Sequence, residues 1–292
     1  MTDNLKKLVI GTAQFGYDYG ITNTRGKVPK TEVVKILNEA RLHQIKTLDT
    51  ASLYGESESV LGDAGTDDFD IITKLPSLDK PSSDINYFID QSIKISLSNL
   101  KTPFVDTLLL HRPDELLEVN GHLVYESLTK LKEMGLVKKI GISIYSPEIL
   151  EDIISEYSID VVQGPLNIFD RRIINSGWLY KLADKGISFI ARSVFLQGIL
   201  LTDNLDLPIY FHKWKFHFEK WINFLRENSL SALEASLQFV SEIPEVDKFI
   251  VGVESLDQFL EIIEAIDSPS FAEAKQLEIN DIGLISPINW SI

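Results

Sequence analysis

Two kinds of segment alternate along the chain, and that alternation constrains its fold more than any other feature. Short runs rich in branched apolar residues stand at Leu8–Thr12, Thr47–Ala51, Asp70–Leu75, Val105–Leu110, Lys139–Ile144, Val161–Gln163, Ile187–Ala191 and Lys248–Val253. Several are apolar nearly throughout, as in Leu108-Leu109-Leu110 and Phe249-Ile250-Val251. A strand that is apolar on both faces is buried on both faces, as in a parallel sheet covered by helices. Between the runs lie apolar residues three and four apart. Val33, Ile36, Leu37 and Ala40 follow Thr31, and Ile85, Phe88, Ile89, Ile93 and Leu97 follow Ser83-Asp84. Ser146-Pro147-Glu148 opens a further helix with a capping residue, a first-turn proline and an acid at the positive end of the dipole. Gly135 and Gly186 stop two others.

Strand then helix, about eight times over in 292 residues, predicts an α/β chain of one domain, a (β/α)₈ TIM barrel. A doubly wound open sheet would carry a G-x-G-x-x-G turn after its first strand, and Gly11-Thr12-Ala13-Gln14-Phe15-Gly16 lacks that spacing. One stretch breaks the rhythm. Between the seventh and eighth strands, over about residues 200–228, the chain is long and rich in aromatics. Trp214, Phe218 and Trp221 share one helical face, which predicts a helix on the barrel flank. Trp214 or Phe211 is expected to approach a substrate at the pocket mouth.

Charge and composition narrow the function. The net charge of −15 repels phosphate backbones and argues against a nucleic-acid partner. No cysteine is present, so disulfides, thiolate metal sites and a cysteine nucleophile are all excluded. No stretch reaches the ~20 apolar residues of a membrane span, and Met1–Lys7 is polar, unlike a secretion signal. The expectation is a cytoplasmic protein with a small-molecule partner and no membrane partner. The oligomeric state is left open.

In such a barrel the chemistry sits at the C-terminal ends of the strands. Ionisable residues there are Asp49 after the second strand with Tyr54 close behind, Lys74 ending the third and His111 after the fourth. Asp–Lys pairs at strand ends are often structural, and a lone tyrosine or histidine there usually packs. Four such residues on consecutive strands are hard to explain by packing. A tyrosine hydroxyl has a pKa near ~10, and a nearby ammonium favours the phenolate. Lys74 is therefore expected to lower the Tyr54 pKa, with Tyr54 in hydrogen-bond reach of Lys74 or His111, allowing for looser geometry without a ligand. Asp49 would hold Lys74, and His111 would meet a carbonyl oxygen. The set provides a proton donor beside an electrophile, as carbonyl reduction or its reversal requires.

The motifs around these residues resemble the aldo-keto reductase family. They are Gly11-Thr12-Ala13-Gln14-Phe15-Gly16, Asp49-Thr50-Ala51, Tyr54-Gly55, Ser57-Glu58, Thr73-Lys74, Asp106, Leu109-Leu110-His111, Ile140-Gly141-Ile142-Ser143, Arg192-Ser193, Gln197-Gly198 and Val251-Gly252. They cover almost the whole chain in the family's order. The resemblance implies a nicotinamide-dependent oxidoreductase that interconverts an aldehyde or ketone and an alcohol, with Asp49, Tyr54, Lys74 and His111 as catalytic tetrad and Tyr54 as general acid/base.

It also implies an extended dinucleotide, NADP(H) or NAD(H), across the barrel top. Ser143 and Gln163 would meet the nicotinamide carboxamide. Thr12, Gly16 and Asp49 would border the nicotinamide, and Arg192 stands where many members stack an aromatic on it. Ser193, Gln197 and Gly198 would follow the pyrophosphate, and Gly252, Gln258 and Glu261 the adenosine.

The chain departs from the pattern in places. Ile144 replaces an asparagine common in members. The loop Gly252–Gln258 has no Lys or Arg for a 2′-phosphate, and Glu254 would repel one. With the first strand starting near Leu8, the N-terminal hairpin that plugs the barrel bottom in many members is expected to be absent, and the tail after Phe271 is expected to add little to the pocket.

Tyr19-Gly20-Ile21, with Ala13–Gly16, resembles members of carbohydrate metabolism, which points to a sugar or sugar derivative. Two alternatives stand beside this reading. One is a cofactor-binding regulatory subunit on the same barrel. The other is an isomerase using Lys74 as a Schiff base, which pairing with Asp49 opposes.

Overall fold

The computed structural model describes residues 2–78, 84–202, 207–268, 271 and 274–291. Its eight strands are β1 (Leu8–Gly11), β2 (Thr47–Asp49), β3 (Asp70–Leu75), β4 (Val105–Leu110), β5 (Val137–Ser143), β6 (Val161–Pro165), β7 (Ser188–Arg192) and β8 (Lys248–Gly252). They pair in parallel and in sequence order, and β8 closes on β1. The predicted single (β/α)₈ barrel is the observed fold. β5 begins two residues before the run at Lys139, because Val137 is buried and Leu136 passes its carbonyl to Val105.

Alternation along each strand divides the apolar residues into two layers. Ile72, Leu109, Val161 and Ile190 pack together with Ile250. Side chains from β3, β4, β6, β7 and β8 can meet only inside the barrel, so this is its interior layer. Their neighbours along the chain, such as Ile71, Leu108, Leu110, Val162, Phe189 and Phe249, belong to the larger core under the helices. The sequence runs are continuous because both layers are apolar.

The helices are set by local signals. Asp84 caps helix Ile85–Leu100, accepting from Tyr87 N at 2.9 Å, and the neighbouring Ser83 lies outside the described residues. Ser231 and Glu234 form a capping box that opens helix Ala232–Ser241. Ser255 caps helix Leu256–Ala265. A short helix Asp3–Lys7 precedes β1.

The aromatic stretch forms a second core. A 3₁₀ segment, Ile209–Trp214, leads into helix Lys215–Asn228. Phe211, Trp214, Phe218, Trp221 and Phe224 are buried with Phe169 and the C-terminal Leu284 and Ile285. Residues 203–206 of the stretch lie outside the described residues. Trp214 and Phe211 do not approach the pocket as expected. Trp214 Nε1 donates to Asp281 Oδ2 at 2.8 Å, and Phe211 meets Trp290 edge-on at 4.9 Å. Both rings turn toward the C-terminal segment because burial there also satisfies the indole N–H.

The interior layer carries the barrel's packing. Leu109→Ala should destabilise the fold by about 2–5 kcal/mol, read as a lower midpoint in chemical denaturation.

Candidate active site

Stepping two residues along each strand from the interior layer keeps the side chain pointing inward. From Ile72 this reaches Lys74, from Leu109 it reaches His111, from Val161 Gln163, from Ile190 Arg192 and from Ile250 Gly252. Ser143 follows Gly141 in the same way and registers beside Gln163. On the other side Gly11 registers with both Asp49 and Gly252. The same alternation that fills the barrel therefore delivers the polar residues to its upper end.

They surround a cleft of about 1150 Å³. Asp49, Tyr54, His111, Ser143, Gln163 and Arg192 line one end, and Glu254, Gln258 and Glu261 line the other. Thr12, Ser193, Gln197, Gly198 and Gly252 lie along it. Lys74 is 1% exposed and stands behind this surface.

Lys74 Nζ donates to Asp49 Oδ1 at 2.6 Å, to Asp49 Oδ2 at 2.8 Å and to the Thr50 carbonyl at 3.0 Å. An ammonium has three N–H groups, so all three are committed. Burial pulls the Lys74 pKa down, and the Asp49 carboxylate pulls it back up. Gln163 Nε2 also donates to Asp49 Oδ2, at 2.7 Å.

This geometry corrects the expectation for Tyr54. Lys74 Nζ lies 5.1 Å from the centre of the Tyr54 ring, and among the described residues no hydrogen bond joins Tyr54 to Lys74 or His111. The ammonium's three N–H groups go to Asp49 and Thr50 and none to the phenol, and the phenol pKa is raised rather than lowered. Burial raises it first, the Asp49 carboxylate and Tyr19 raise it further, and Arg192 opposes them. Tyr54 is thus a protonated phenol across the neutral range.

The His111 ring stands edge-on to Tyr54, with centroids 6.2 Å apart. Burial, then the Lys74 and Arg192 cations, pushes its pKa down to about 4. It is neutral at pH 7. Its Nδ1 is buried and makes no hydrogen bond. An orphaned acceptor is tolerated better than an orphaned N–H, so the proton belongs on Nε2, where it can be donated to a ligand oxygen.

Other side chains in the sequence-derived set are placed along the cleft with different commitments. Thr12 borders it, yet its hydroxyl donates to the Asp49 carbonyl at 2.9 Å and meets Ser57 Oγ at 2.7 Å. The loop after β7 has left-handed backbone at Ser193, Leu196 and Gln197, three of the six such non-glycine residues described. Such conformations concentrate at ligand clamps. Gly198 continues this at φ 91°, and a Cβ there would lie 1.8 Å from Thr22 Oγ1. At the far end Gln258 Oε1 accepts from Glu254 N at 2.9 Å. Burial raises the Glu254 pKa, while Gln258 and the more distant Arg25 lower it.

The sequence reading missed several lining residues. Tyr17 and Tyr19 reach the cleft from the loop after β1, and Tyr145 from the loop after β5. Ile222, Leu225 and Arg226 reach it from helix Lys215–Asn228. Ile222, Arg226 and Ser229 are spaced four and three apart, a second stripe beside the aromatic one. The C-terminal tail does contribute, through Pro287 and Ile288.

The buried Asp49–Lys74 pair has a measurable signature. Lys74→Met should cost about 3–5 kcal/mol of stability by leaving a buried carboxylate unpaired. Adding Asp49→Asn should restore much of that loss in thermal or denaturant unfolding.

Comparison with known proteins agrees with this architecture. An uncharacterized oxidoreductase of Bacillus subtilis, YqkF, is 29% identical over 264 residues, spanning 84% of this chain and 85% of that protein. A 6-dehydroglucose reductase of Agrobacterium fabrum is 29% identical over 185 residues, 56% of this chain and 62% of that protein. The structure of an aldo-keto reductase from Bacillus halodurans in its holo form superposes with a TM-score of 0.70 at 22% identity, covering 93% of this chain and 90% of that one. The model of the Aldo/keto reductase family matches residues 7–282, and the chain belongs to that family.

Proposed function

We propose that this oxidoreductase interconverts a small carbonyl compound and its alcohol with a nicotinamide dinucleotide, and that Tyr54 is its general acid/base. The observation that carries this reading is the pairing of a protonated phenol, Tyr54, with a neutral imidazole, His111, at one end of a long cleft.

The cleft's residues fit a dinucleotide. Gly11 and Gly252 leave its inner wall without side chains, the left-handed loop Ser193–Gly198 flanks its middle, and Gln163 and Ser143 stand side by side at the reacting end. Gln163 gives its amide N–H to Asp49, which leaves Oε1 to accept from a carboxamide. A reduced nicotinamide bound at this end would supply the hydride. His111 Nε2–H holds the carbonyl oxygen, and Tyr54 Oη passes its proton to that oxygen as the carbonyl carbon is reduced. Asp49 and Lys74 form a neutral, fixed floor under the phenol. The phenolate regains its proton from solvent.

A sugar or sugar derivative is the substrate class we favour. Tyr17, Tyr19, Tyr54 and Tyr145 offer ring faces and hydroxyls around the reacting end. Similar proteins include the 6-dehydroglucose reductase above and a D-galacturonate reductase of Fragaria ananassa, 30% identical over 195 residues.

Tyr54→Phe should keep dinucleotide binding and lose about 10²–10⁴-fold in turnover. In the wild type the raised phenol pKa keeps the proton in place, so carbonyl reduction should be level between pH 6 and 9. Alcohol oxidation needs the phenolate and should rise with pH through that range. Native reduction rates in Tyr54→Phe, measured on an aldehyde panel, would overturn the assignment.

For the dinucleotide we propose NADP(H), with weak discrimination against NAD(H). Glu254 on the cleft opposes a 2′-phosphate and can accept from ribose hydroxyls. Glu254→Ser should shift the ratio of NADPH to NADH affinities toward NADPH by a factor of about 5–30. A wild type that already prefers NADPH several hundredfold would show that Glu254 does not face the phosphate.

A further inference from the structure

The reacting end of the cleft carries an uncompensated positive charge. Asp49 and Lys74 bind each other through both carboxylate oxygens and sum to zero. His111 is neutral, and Tyr17, Tyr19 and Tyr54 are held protonated, chiefly by burial. Arg192 remains, and among the described residues no carboxylate pairs with it.

Neutral groups clamp this guanidinium. It lies 4.7 Å from the centre of the Tyr145 ring. Its Nη2 donates to the Ile144 carbonyl at 2.8 Å and its Nη1 to Ser193 Oγ at 3.2 Å. Its Nε is buried without a hydrogen-bond partner. The cation is therefore fixed at the end of β7, and its field acts on both Tyr54 and His111.

Hydride exchange beside Tyr54 and His111 requires the nicotinamide ring at this same end. That ring is uncharged when reduced and carries one positive charge when oxidised. Resting on the cofactor reading above, we infer that Arg192 makes the cleft bind the reduced dinucleotide in preference to the oxidised one, through like-charge repulsion with the oxidised ring. The phosphates and sugars are the same in both forms, so the ring charge isolates this effect. A weaker hold on the oxidised form also favours its release after carbonyl reduction, and product release limits turnover in many enzymes.

The test is to measure dissociation constants of the intact protein for NADPH, NADP⁺, NADH and NAD⁺, by calorimetry or by quenching of tryptophan fluorescence. In the wild type the reduced form should bind about tenfold tighter or more than its oxidised partner. Arg192→Gln should bring that ratio down about tenfold, and Arg192→Lys should retain most of it by keeping the charge. A side chain that only packs against the cofactor would weaken both forms alike and leave the ratio unchanged in Arg192→Gln, which would overturn the inference. A wild-type ratio of one or below would overturn it without any variant. Failure of all four dinucleotides to bind would remove the cofactor reading itself, whereas binding with a ratio insensitive to residue 192 would remove only the role of its charge.

Discussion

The upper end of the barrel depends on Asp49. Its carboxylate accepts from Lys74 on the adjacent β3 and from Gln163 on β6. In a closed barrel of eight strands in sequence order, β2 and β6 lie opposite each other. The Gln163–Asp49 bond therefore crosses the barrel, while the Lys74 bonds tie it to its neighbour. A buried carboxylate with this many donors is fixed, and every other polar group at the end is placed relative to it. The pair also sets the electrostatics. With the Lys74 N–H groups spent on Asp49 and Thr50, the phenol of Tyr54 responds first to burial and then to the Asp49 carboxylate, and Arg192 opposes them.

The fold was legible in the sequence because burial on both faces leaves a plain mark. Leu108 and Leu110 face the helices and Leu109 faces the interior, so β4 reads as an unbroken apolar run. The positions of Asp49, Lys74 and His111 were legible for the same reason, since each continues an inward-facing row. What the sequence did not disclose is where their hydrogen bonds go. The residue types at 49, 54, 74 and 111 are compatible with an ammonium aimed at the phenol. Only the three acceptors around Lys74 Nζ show that it has no N–H left for Tyr54.

Loop residues were less legible, because no periodicity places them. Tyr17, Tyr19 and Tyr145 lie beyond the strand ends, where alternation no longer dictates direction. The aromatic helix misled in a different way. Its most conspicuous residues, Trp214 and Phe211, are conspicuous because they are core, and the residues that face the cleft, Ile222 and Arg226, are the plainer ones on the next stripe. Large aromatics bury most area when packed against other apolar groups, and the tail at Leu284, Ile285 and Trp290 supplies that cover.

The placement of Tyr54 rests on the absence of side chains as much as on their presence. A Cβ at Gly16 would lie 1.6 Å from the Tyr54 carbonyl oxygen, and one at Gly55 would lie 2.6 Å from the Gly16 carbonyl oxygen. Gly55 also takes a left-handed backbone, at φ 55°. The turn Ala13–Gly16 can therefore press directly against the backbone that carries the phenol. Ser57 secures the same junction, donating to the Thr12 carbonyl at 2.9 Å and accepting from Thr50 Oγ1 at 3.0 Å. Since Thr12 in turn donates to the Asp49 carbonyl, the end of β1, the end of β2 and the start of helix Ser57–Ala64 form one bonded unit. Tyr54 lies on a loop, yet its main chain is held from both sides by strand ends. The position of the phenol is then set by close backbone packing at this junction.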